Sequence, residues 1–255
     1  MHRTLTTLVL ATSLLALAGG ATAATAAKDG RYYFDAMKAS MLEVLAENQK
    51  LINTTPAGAV KDKTLVPEAD YARAYESFTE IAGEDFSVAD LGSDPAAIAQ
   101  ALGTMLQAGR EVTAKAQVAI NTESDGTVKP KKFIPAVFGR LVADRFAKKT
   151  GVVMKQTTLG KNGYGARNEY NAPDEWETTA LTKISAAGWE RNKGFGEQVG
   201  GAYRLAKPIY IKDACLTCHG DPVGEAAPYG HAKEGYKVGE LRGAISVTIP
   251  TGPGV

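Results

Sequence analysis

The stretch Leu241-Arg242-Gly243-Ala244-Ile245-Ser246-Val247-Thr248-Ile249 alternates strictly from position 244 onward. Ile245, Val247 and Ile249 share one face and Ala244, Ser246 and Thr248 the other, the period-two pattern of a strand. Working back from it, residues 203–211 form a second β-rich run. Pro208 interrupts that run, and its missing N–H suits an edge position. Residues 194–201 read as a turn region and residues 152–159 as another strand. Between them, Asn171-Ala172-Pro173-Asp174-Glu175 reads as a helix start, a cap residue followed by acids in the first turn. Trp176, Ala180, Leu181 and Ile184 give that helix a buried face. Earlier still, Pro135 opens a helix whose apolar face is Val137, Phe138, Leu141, Val142 and Phe146, and Gly151 ends it. A strand–helix–strand–strand order with few strands argues an α+β fold, a small antiparallel sheet packed on helices.

The region before this is helical throughout. Met37, Met41, Val44, Leu45, Leu51 and Ile52 recur at helical spacing, and this helix stops by Pro56. Further helices cover residues 68–82 and 95–120. A nine-residue echo, 46–54 against 114–122, reads as resemblance between two amphipathic helix ends. Residues 1–26 carry Arg3, an apolar run and two Ala-x-Ala sites, the pattern of a secretory leader, and place the mature chain in the periplasm. The sequence therefore divides into a leader (1–26), a helical region (27–114), an α+β domain (115–250) and a short tail (251–255).

Composition excludes several function classes. The chain holds 29 Lys and Arg against 28 Asp and Glu, and removing the leader's Arg3 brings the balance to zero. That argues against nucleic acid as a partner and against a polybasic membrane anchor. With 44% hydrophobic and 22% charged residues the chain is expected to fold. No apolar run after the leader reaches the ~18 residues that span a bilayer. Acids cluster in residues 67–90 and bases in 129–149. The two clusters read as helix faces turned toward one another, or as a surface that steers a redox partner.

The chemistry rests on Cys215-Leu216-Thr217-Cys218-His219. These are the only two cysteines, too few for a disulfide framework and short of the ligand set of structural zinc. C-x-x-C-H is the attachment pattern of c-type haem. Two thiols on one helical turn can add to the two vinyl groups of one porphyrin, and the adjacent imidazole then serves as the proximal iron ligand. Asp213 is placed to cap the short helix. A thiol oxidoreductase would carry its Cys pair after a strand in a βαβ unit, and none surrounds this one.

Around the motif, four segments resemble a family of haem-binding, PAS-like periplasmic domains long filed as a domain of unknown function. They are residues 153–159, Arg167-Asn168 with 171–177, residues 215–222, and residues 235–247. The resemblance implies a PAS-like sheet, one covalent haem c, and a redox or sensory role in place of substrate turnover. Two departures stand out. Glu169 follows Asn168 where the family usually has proline. A family member takes a cysteine as second axial ligand at a place matching Ile120, and this chain has no third cysteine.

Arg167, Asn171 and Trp176 are candidates to line the haem pocket together with Asn168, Arg167 pairing a propionate. The alternative is that Asn171 caps a helix and Trp176 belongs to the core. Lys207, Tyr210, Lys212 and Arg242 are secondary propionate candidates, or simply solvated. For the distal side the helix at 95–120 offers Met105, Gln117 and Ile120. Met154 and His231 are the candidate distal ligands. The expectation is an exported monohaem cytochrome, no enzyme, that transfers electrons or senses redox state with a partner protein; the alternative is a module that binds carbon monoxide or nitric oxide.

Overall fold

Proline sets where three of the helices begin. Pro67, Pro95 and Pro135 each occupy a first helical turn, where a missing N–H costs nothing and the fixed φ suits the helix. The structure, a computed structural model, describes residues 28–53, 65–83 and 86–252. The expected leader and most of the tail lie outside these residues. The described helices are α1 (Gly30–Asn53), α2 (Pro67–Ala82), α3 (Pro95–Asn121), α4 (Pro135–Thr150), α5 (Glu175–Ile184) and α6 (Asp213–His219), with 3-10 turns at Val88–Leu91 and Glu169–Asn171. Gly151 closes α4 in the left-handed region, its N–H returning to Ala147.

Four strands, β1 (Val153–Thr157), β2 (Phe195–Val199), β3 (Ala202–Tyr210) and β4 (Leu241–Pro250), form one antiparallel sheet in the order β1-β4-β3-β2. The mixed α+β architecture follows the sequence expectation. Two details differ. Residues 194–201 are not merely a turn, because Phe195–Val199 pairs with β3. The segment has no apolar alternation and takes its strand form from that pairing. β3 is also central where β2 covers it. Beyond Ala206 its remaining neighbour is β4, so Pro208 still sits on an open edge.

The sheet's two faces are covered unequally. Met154, Leu205, Ile245, Val247 and Ile249 join α1 to α4 in the main core, with Phe78, Phe133, Phe138 and Phe146 fully enclosed. Each such side chain contributes about 1.5–3 kcal/mol by leaving water. On the opposite face Ala206 and Ala244 pack under Ala180, Leu181 and Ile184 of α5. Leu51, expected in the apolar stripe of α1, is exposed. The boundary expected at 114/115 falls inside α3, and α3 packs on both α2 and the sheet. The echoed segments are the last turns of α1 and α3, which end at Asn53 and Asn121. Lys131 bridges them, Nζ donating to the Ile52 carbonyl and its amide to Asn121 Oδ1.

Two bases of the second charge cluster are answered by α1, not by the acids of residues 67–90. The bases of α4 pair with α1, Arg145 with Glu47 and Lys149 with Glu43 at 2.9 Å. Among the described residues no helix is long and apolar enough to cross a membrane.

Candidate functional site

α6 begins where β3 leaves the sheet. Backbone bonds between Ile211 and the Gly239–Glu240 turn (2.8 and 2.9 Å) pin the connection. Asp213, expected as the cap, is instead the first helical residue, with Lys212 at the N-cap. The backbone amide of Lys212 points at Cys215 Sγ, 3.4 Å away. Cys215 and Cys218 lie one turn apart, half-buried and unbridged, and burial pushes the Cys218 thiol up. The helix ends under a returning loop, Tyr236 donating its amide to the His219 carbonyl (2.8 Å) and Gly235 to that of Gly220 (3.0 Å).

That loop delivers Glu234, 1% exposed, to His219. Oε2 of Glu234 lies 2.8 Å from His219 Nδ1. Arg167 Nη2 also lies 3.1 Å from Nδ1, but it donates at shorter range to the Cys218 carbonyl and to Glu234. An ionised carboxylate only accepts, so the shorter Glu234 contact puts the proton on Nδ1 and leaves Nε2 with its lone pair. Arg167 grips the same carboxylate through Nε (3.1 Å) and Nη2 (3.0 Å) and donates to the Cys218 carbonyl at 2.8 Å. Arg242 approaches Glu234 at 3.5 Å, Asn162 donates to its carbonyl at 2.8 Å, and the Tyr236 ring stands edge-on to the imidazole.

Burial works to raise the Glu234 pKa, but the His219 hydrogen bond and the Arg242 and Arg167 charges outweigh it and hold it below the ordinary carboxylate value. Burial pulls His219 down, only partly opposed by Glu234, so the imidazole is neutral near pH 7. A neutral imidazole oriented by a carboxylate on its second nitrogen is the arrangement of metal-ligating histidines. The donor set fits a c-type haem: two free thiols on one turn and a histidine with Nε2 unengaged.

The other predicted residues divide sharply. Arg167 belongs to the site, although its partner is Glu234. Asn171 and Trp176 do not. Asn171 ends a 3-10 turn, while Asp174 caps α5 in a box with Glu177. Trp176 donates to Glu197 at 2.8 Å and packs between Phe195 and Arg204, on the α5 side of the sheet. Lys207 is buried against Gly103 of α3 and donates to the Asn192 carbonyl. Tyr210 stacks beneath Arg191, and Lys212 pairs with Glu111 at 2.7 Å. Arg242 does face the site, through Glu234.

On the side toward α3, Lys212 meets Glu111, and Tyr229 meets Gln117 (3.2 Å) and Asn121 (3.1 Å). By helical spacing Ala114 lies on that same face. Met105, Ile120 and Met154 do not lie there but are buried in the main core. The His231 side chain is exposed. Glu234, which holds the site together, went unnoticed in the sequence. Its only local signal is its place before Gly235-Tyr236, where a Cβ on Gly235 would come within 2.5 Å of Val223 Cγ2.

Fold and site together define an α+β protein that presents a paired-cysteine helix ending in a carboxylate-oriented histidine. The Tll0287-like family model matches residues 23–250, and the chain belongs to that family. A solved structure described as the cyanobacterial heme-protein Tll0287 is 22% identical, over 59% of this chain and 93% of that one, with a TM-score of 0.43. Among curated proteins none matches.

Proposed function

We propose that the protein is an exported, periplasmic monohaem c-type cytochrome that transfers electrons or senses redox state, in concert with a partner protein and without turning over a substrate. The observation that carries this reading is the His219–Glu234 pair. It fixes the tautomer and the ring angle of the one histidine adjacent to the two thiols. Cys215 and Cys218 would form the two thioether bonds, and His219 Nε2 would ligate the iron. Bound there, haem supplies a one-electron couple whose potential depends on the axial ligands, nearby charge and burial. Glu234 keeps the proton on Nδ1, while Arg167 and Arg242 keep Glu234 ionised. The description of a similar solved protein as a heme protein supports the same reading.

A second reading, a module that binds carbon monoxide or nitric oxide, is favoured by one observation. Met105, Ile120 and Met154 are buried in the main core and absent from the α3 face beside α6. One experiment tests both. The purified protein, co-expressed with a cytochrome maturation system, should give a pyridine haemochrome spectrum of c-type with one haem per chain. Absence of haem defeats the proposal. In the reduced protein, a Soret shift at micromolar carbon monoxide marks an open iron and favours gas binding. Sharp low-spin α and β bands that ignore the gas favour electron transfer.

A further inference from the structure

Arg110, in the middle of α3, is a cation without an answering anion among the described residues. Its Nε is enclosed with no hydrogen-bond partner. Among the described residues its guanidinium makes no ion pair. Room is left for it by Gly139 of α4, where a Cβ would come within 2.9 Å of Arg110 Cδ. The ionisable groups around it are Cys215, Arg242 and Glu111. Arg242 repels it and is already turned to Glu234 at 3.5 Å. Glu111 attracts it, but its carboxylate is engaged by Lys212 at 2.7 Å and Gln107 at 3.2 Å. Burial pulls the Arg110 pKa down to about 10, which still leaves it charged at neutral pH.

A half-buried cation whose Nε is enclosed without a partner is costly, and a counter-charge brought by a bound group relieves that cost. We propose that Arg110 pairs with a carboxylate of the bound haem, an inference that rests on the haem reading above. Guanidinium is the side chain best matched to a carboxylate in a partly dry cleft. Proximity to Cys215 puts Arg110 beside the attachment helix. Arg167, the propionate partner expected from sequence, is consumed by Glu234.

The test compares Arg110→Gln and Arg110→Lys with wild type, all matured with haem. Haem content is read first by pyridine haemochrome, then the reduction potential from pH 5 to 8. Wild type without haem would overturn the haem reading itself, and this inference with it. With haem present, Arg110→Gln should lower the potential and steepen its pH dependence, because a carboxylate that loses its cation favours ferric iron and picks up protons in this range. Arg110→Lys should restore most of the potential. If Arg110→Gln loses haem outright, retention in Arg110→Lys still supports pairing by charge, whereas loss in both would overturn it. A potential and pH profile in Arg110→Gln that superimpose on wild type would also overturn it.

Discussion

Two arginines beside the same short helix live under opposite electrostatic conditions. Arg167 holds a buried carboxylate through two nitrogens and a backbone carbonyl through one of them. Among the described residues Arg110 makes no ion pair, and its Nε has no hydrogen-bond partner. The difference separates two tasks. On the His219 side the chain supplies both charges, so the imidazole is oriented before anything binds. At Arg110 it supplies one and leaves the other to the bound group.

Breaking the matched side has the largest expected effect. His219→Ala should leave haem attached, since attachment uses the sulfurs, but alter the Soret band and spin state; an unchanged spectrum would remove His219 from the iron. Glu234→Gln comes next. It strips two partly buried arginines of their carboxylate and should cost about 3 kcal/mol in urea unfolding. In the haem-loaded protein it should also raise the reduction potential, because the imidazole loses its negative partner. A midpoint within error of wild type would show the cluster to be incidental.

The helical half of the fold was legible because its signals are local. Proline at the first turn of α2, α3 and α4 and glycine after α4 mark ends that no tertiary contact needs to impose. The cysteine pair was legible because attachment chemistry fixes its spacing in sequence. β2 was not, since Phe-Gly-Glu-Gln-Val becomes a strand only against β3. Glu234 was hidden for the same reason. An acid between Lys233 and Gly235 looks solvated until the loop's return path buries it beneath two arginines. Trp176 misled in the opposite direction, its indole answering Glu197 on the other face of the sheet.

Smaller effects sharpen the contrast. Met154→Leu conserves core volume, so it should cost under about 1.5 kcal/mol and leave the absorption spectrum unchanged. A spectral change would make Met154 a ligand. Lys207 is a second enclosed cation, and burial alone lowers its pKa to about 8. The unfolded chain keeps that proton until about 10.4. Between the two values unfolding therefore takes up a proton, and stability should rise with pH through this window. Lys207→Met should flatten that rise, as read from urea midpoints at pH 7.5 to 10; an identical slope in the variant would clear Lys207 of the effect.

The most direct measurement on the central claim is the intact mass of the purified chain after co-expression with a cytochrome maturation system. The account predicts the polypeptide plus one haem, with the added mass surviving acid and organic solvent and mapping to the peptide that contains Cys215 and Cys218. A mass equal to the bare polypeptide, with the two cysteines joined as a disulfide, would contradict it.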